Sequence, residues 1–166
     1  MRERIDLTPD LAQAEMPGRV LNELCAHAVD SQPEECCGLV TGFDGDRFRT
    51  VYRCRNNMTM LHRNDPSVYP RNGTEAYYMS EVDYLAAQQE SRERGEVVTA
   101  VYHSHVGAGV YFSELDQEFA EHPLFPFPEA AQIVVAVWDG RVAQVGLFER
   151  DAAGLMVGRS VEASVE

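Results

Sequence analysis

Basic residues are scarce in this sequence. Fourteen Lys+Arg stand against 27 Asp+Glu, a net charge of −13 at pH 7. A surface that negative repels phosphate backbones and anionic lipid, so no nucleic acid and no membrane is expected as a partner, and neutral or basic partners are favoured. Long apolar runs are also missing. The stretch Ile133 to Trp138 is among the longest, far short of the roughly 20 residues that cross a bilayer. Met1 to Asp6 lacks the apolar segment of a signal peptide, which predicts a cytoplasmic protein. The four cysteines, Cys25, Cys36, Cys37 and Cys54, form no C-x-x-C pair, so reduced thiols are expected. Repeats, linkers and low-complexity blocks are absent.

What remains is ordinary globular composition, 45% hydrophobic and 25% charged in 166 residues, the size of one domain. Residues 1–16 show no periodicity and read as a lead-in. From Pro17, Val20, Leu21, Leu24, Ala28 and Val29 recur at helical spacing, and the helix should end near Ser31-Gln32-Pro33. Cys37 to Phe43 and Arg47 to Arg55 read as a hairpin across Asp44-Gly45. Residues 56–74 carry Asn-Asn, Asp65-Pro66, Tyr69-Pro70 and Asn72-Gly73 and read as one long functional loop, where Tyr69 and Arg71-Asn72-Gly73 are candidates for partner contacts. Glu75 to Met79 reads as a short strand, and Ser80 caps a helix that Gly95 stops. Val97 to His105 reads as a central strand covered on both faces. A glycine loop, a short helix from Ser113 and a hairpin across Asp139-Gly140 follow; residues 151–166 read as a tail. The expected fold is α+β (mixed α/β): one sheet flanked by helices.

The chemistry concentrates at the end of the central strand. Side chains at i and i+2 leave one face of a strand, so His103 and His105 point together. Eleven residues on, Asp116 lies in the first turn of the next helix, and a strand–loop–helix path can fold its carboxylate back. Two imidazoles and a carboxylate make three protein ligands for Zn2+ with a position left for water, the pattern of a catalytic site. Ser113 and Asp116 alone also satisfy a capping box. The His-x-His and Ser-x-x-Asp combination at this spacing arises by chance in roughly a few chains per ten thousand of this length. A hydrolytic zinc site also needs a carboxylate base, and Glu34 or Glu35, at the entry to the first long strand, could serve.

These residues resemble the JAMM (MPN+) zinc metalloproteases, M67-type and Mov34/PAD-1-like. His103-Ser104-His105 with Ser113 and Asp116 matches the family signature, and Pro33-x-Glu35-x-Cys37-Gly38 matches its glutamate segment. The likeness covers roughly residues 17–150 in order and spacing, and is strongest with the compact prokaryotic branch. It implies a JAMM/MPN-like domain with a curved mixed sheet, cytidine-deaminase-like in architecture. It also implies one Zn2+ per chain on His103, His105 and Asp116, Glu35 as general base, and Ser113 stabilising the oxyanion. The implied reaction is hydrolysis of an amide or isopeptide bond after the C-terminal glycine of a small ubiquitin-like or sulfur-carrier protein. One departure stands out: Val106 occupies the position of the family's proline, ahead of Gly107-Ala108-Gly109, which suggests a more flexible exit from the strand.

Two other readings stay open on sequence: a non-catalytic MPN-type binding module, and a cysteine hydrolase using Cys36 or Cys37. Ser104 should face away from the histidines, and His27, His62 and His122 fit no ligand spacing. The segment Leu124-Phe125-Pro126-Phe127 reads either as buried beneath the helices or as the patch of a homodimer.

Overall fold

A computed structural model describes residues 2–165. Strands β1 (Ile5–Asp6) and β2 (Ala14–Met16) precede helix α1 (Gly18–Asp30), and β3 (Cys37–Phe43) and β4 (Asp46–Cys54) form a hairpin. Helices α2 (Met58–Asn64) and α3 (Glu81–Glu93) lead to β5 (Val97–Val106). Then come β6 (Tyr111–Phe112), α4 (Glu114–Glu121), β7 (Ala131–Trp138), β8 (Arg141–Arg150) and β9 (Met156–Ala163). Seven strands form one mixed sheet in the order β2-β9-β8-β7-β5-β3-β4, while β1 pairs with β6 separately. The single α+β domain has the helix-flanked mixed sheet that the sequence implies.

Local chemistry accounts for the main elements. In α1, Val20, Leu24, His27 and Ala28 are buried on one face, a spacing that matches the helical period. The Ser80 hydroxyl accepts from the Asp83 N–H to start α3, and Gly95, at φ +73°, supplies the left-handed residue that ends it. The β3–β4 and β7–β8 turns place Gly45, Asp139 and Gly140 at positive φ, as tight hairpins require.

β5 lies at the centre, antiparallel to β3 and parallel to β7. Its alternation divides two cores. Ala100 and Tyr102 pack with Val20, Leu24 and Ile133 on the α1 side, whereas Val101 packs with Leu39, Tyr77 and Ala87 on the other. His103 and His105 share the parity of Val101, so they emerge on the face covered by α3 and α4. Burial of residues such as Tyr102 and Leu39 at about 1.5–3 kcal/mol per large side chain gives the histidine pair a rigid base.

Four local readings need correction. Residues 58–64 are helix α2 rather than loop. Asn56 anchors the start: its Oδ1 accepts from the N–H groups of Met58 and Tyr78, and its Nδ2 donates to the carbonyls of Glu35 and Ala76. Glu75 to Met79 forms no strand beyond a single bridge between Asn56 and Met79. The lead-in and tail contribute to the sheet, because β2 pairs in parallel with β9; partners that far apart leave no local pattern. Finally, the proline-rich segment divides: Phe127 is buried beside Tyr84 and Phe125, while Leu124 is 83% exposed.

Candidate metal centre

The structure brings His103, His105 and Asp116 together. The two histidine Nε2 atoms lie 3.2 Å apart, and Asp116 Oδ2 lies 3.2 Å from that of His103 and 3.5 Å from that of His105. Ligands bonded at about 2.0–2.1 Å on the corners of a tetrahedron are about 3.3–3.4 Å apart. The triangle therefore has the size of one face of a zinc coordination tetrahedron. All three residues are buried, and among the described residues they form the His/Cys/Asp/Glu group able to hold a metal ion.

Each side chain is oriented by its surroundings. The Gly109 carbonyl accepts from His105 Nδ1 at 3.0 Å, which places the proton there and leaves the Nε2 lone pair toward the triangle. His103 stacks on Tyr77 with ring centroids 4.6 Å apart, and its buried Nδ1 has no hydrogen-bond partner; packing fixes the ring on that side, and Asp116 meets its Nε2. Asp116 is fixed by the start of α4. Its N–H donates to Ser113 Oγ at 3.0 Å, and the Ser113 N–H donates to Asp116 Oδ2 at 3.2 Å. The capping box and the ligand arrangement are thus one structure, in which the Ser113 hydroxyl proton is still free to donate. Val106 does not loosen the strand exit: it pairs with Val137, and the Gly107 N–H donates to the Val137 carbonyl at 2.8 Å.

Glu35 shares a cleft of about 220 Å3 with His105, Ser113 and Asp116. It is only 6% exposed. Its N–H donates to the Gly73 carbonyl at 2.7 Å. Glu34 instead turns away and accepts from the Thr59 hydroxyl, so of the two glutamates only Glu35 enters the cleft. Burial pushes the Glu35 carboxyl up to about 8, against the opposing charges of His105 and Arg71. Burial works to raise Asp116 as well, but the two histidines outweigh it and hold that carboxyl far below the usual range. For His105, burial disfavours the cation, yet Asp116 and the Gly109 carbonyl prevail and raise its pKa.

The other residues singled out lie elsewhere. Ser104 faces away, and its Oγ accepts from the Cys36 N–H at 2.7 Å. Burial pushes Cys36 up to about 12 and Cys37 well above its ordinary value; a cysteine hydrolase needs the thiolate, which these sites suppress. His27 hydrogen-bonds Tyr102 in the α1 core, and His62 meets the Tyr69 carbonyl. Tyr77 and Tyr111, which flank the two histidine rings, carry no spacing signal because a loop delivers the first and the two-residue strand β6 the second. Next to the cleft runs an aromatic groove of about 470 Å3 that shares Tyr77, Leu115 and Phe119 with it.

Comparison with known proteins places the fold and the family. Two solved structures share the fold. Protein DSY2949 from Desulfitobacterium hafniense is 21% identical with a TM-score of 0.64, covering 93% of this chain and 94% of its own. A protein from Salinibacter ruber is 22% identical with a TM-score of 0.58, covering 92% and 91%. The proteins named CysO-cysteine peptidase of Mycobacterium tuberculosis (strain ATCC 25618 / H37Rv) and Mycobacterium bovis (strain ATCC BAA-935 / AF2122/97) are 26% identical over 105 residues. That match spans 63% of this chain and 63% of the length of those relatives. The family described as prokaryotic homologs of the JAB domain matches residues 17–162, and the chain belongs to that family.

Proposed function

We propose that this chain is a zinc-dependent peptidase of the cytoplasm that hydrolyses an amide bond after the C-terminal glycine of a small ubiquitin-like or sulfur-carrier protein. The observation that carries the reading is the triangle of donor atoms, 3.2, 3.2 and 3.5 Å on its sides, with a buried glutamate in the same cleft. Zn2+ on His103, His105 and Asp116 would supply Lewis acidity toward a carbonyl oxygen and toward water.

The remaining work falls to the chain itself. Glu35, buried in the same cleft and favoured as the carboxylate by a bound dication, takes a proton from the attacking water and returns it to the leaving amine. The Ser113 hydroxyl, held at the α4 N-terminus by its acceptor bond from Asp116, donates to the oxygen on which negative charge develops. The walls of Tyr77 and Tyr111 keep the imidazoles from rotating. Similarity to proteins named CysO-cysteine peptidase supports a small carrier protein as substrate and removal of a C-terminal residue as the reaction.

Mass spectrometry of small carrier proteins bearing residues beyond a Gly-Gly end, incubated with zinc-loaded protein, tests this reading. Shortening to Gly-Gly by wild type and none by Glu35→Gln is expected. Carriers that bind the metal-loaded protein yet keep their extensions would overturn it in favour of a binding module.

A further inference from the structure

Glu35, Glu75 and Asp116 line the cleft, and among the described residues Arg71 is the one arginine in its wall, in a chain of net charge −13. Most arginines here have an acidic partner, as Arg55 has in Asp83 at 2.9 Å. Among the described residues no carboxylate lies within 4.0 Å of the Arg71 guanidinium, Glu75 included.

The backbone beside it is nevertheless fixed. The Asn72 side chain accepts from the N–H and hydroxyl of Thr74 at 2.9 and 2.6 Å. Gly73 is tied on both sides: its N–H donates to Thr59 Oγ1 at 2.9 Å, and its carbonyl accepts from the Glu35 N–H at 2.7 Å. A Cβ at Gly73 would meet the Glu34 carboxyl and Thr59 Oγ1 at 2.9 Å, so both side chains would have to shift to admit one. Arg71 therefore starts from a backbone registered to Glu35, while its five donors stay open for a ligand.

A guanidinium fork matches a carboxylate. Glu35 and Glu75 in the wall would repel an incoming anion, and Arg71 offers it a positive charge there apart from the metal ligands.

We infer that Arg71 receives the free C-terminal carboxylate of the residue released, and so sets a preference for substrates with an unblocked C-terminus. This inference rests on the peptidase reading above. Water adds across the amide: its oxygen bonds to the glycine carbonyl carbon as the C–N bond breaks. The carrier leaves with a terminal carboxylate, and the amine takes up the protons to leave as a zwitterionic amino acid.

The test compares two peptides, acetylated and ending Gly-Gly-Ala, one a free acid and one a C-terminal amide. Zinc-loaded wild type should favour the acid by about 10- to 100-fold in kcat/KM, the range of a charged hydrogen bond. Arg71→Ala should lose that preference chiefly through KM and recover it in part as Arg71→Lys. Equal cleavage of acid and amide by wild type overturns the inference and leaves the peptidase reading standing. If neither peptide is cleaved, the peptidase reading fails for these probes, and calorimetry on zinc-loaded Glu35→Gln decides about Arg71. Tighter binding of the acid, abolished when Arg71→Ala is added, upholds the carboxylate site; equal affinities overturn it.

Discussion

Removing the charge of Glu35 from metal-free protein should change how stability depends on pH. The carboxyl is lifted from 4.5 to about 8, chiefly by burial. The folded state therefore holds this proton more tightly than the unfolded chain, and the resulting stability is complete below pH 4.5 and lost as pH rises toward 8. At about 1.4 kcal/mol per tenfold change, the loss reaches about 5 kcal/mol, which approaches the whole stability of a marginal domain. His105, whose pKa is also raised, works in the same direction, so the informative quantity is the difference between wild type and Glu35→Gln. Urea titrations in EDTA between pH 5 and 8.5 should show wild type losing several kcal/mol more than the variant. Saturating zinc should flatten the wild-type curve, because a bound dication favours the carboxylate. Parallel curves for the two proteins in EDTA would refute the burial-raised pKa of Glu35 in the metal-free protein.

Ser113→Ala should keep its metal, lose about 1 kcal/mol from the α4 cap in chemical denaturation, and fall about 10²- to 10³-fold in kcat; an unchanged kcat would confine Ser113 to capping. His27, lowered to about 4 by burial first and the Arg53 charge second, contributes stability above pH 6.5 that is lost as pH falls toward 4. His27→Gln should therefore flatten the acid limb of the pH–stability curve, by up to about 3 kcal/mol. Phenanthroline should abolish hydrolysis while iodoacetamide spares it, since burial holds Cys36 and Cys37 as thiols; the reverse pattern in a rate assay would restore the cysteine hydrolase.

Much of the centre was legible because it follows from local rules. Alternation along β5 aims His103 and His105 together, and the start of a capped helix presents Asp116. The spacing could not choose between Glu34 and Glu35. That choice depends on Thr59 and Gly73, which fix the two backbones across the cleft. Helix α2 was hidden because Asn57, Asn64 and Asp65 read as turn residues, and its start is secured by Asn56 reaching across to Glu35 and Ala76. The β2–β9 pairing joins residues near opposite ends of the chain, so no window of sequence contains both partners. Arg71 stood out only as part of a loop; its place beside Glu35 and Glu75 is a property of the assembled walls.

Metal content is the most direct measurement of the central claim. Protein purified without chelator should carry about one zinc per chain by elemental analysis, as should Glu35→Gln, whereas His103→Ala, His105→Ala and Asp116→Ala should each carry almost none. Zinc near zero in the intact protein, or full zinc in any of those three variants, would contradict a metal held on the face where β5 ends and α4 begins.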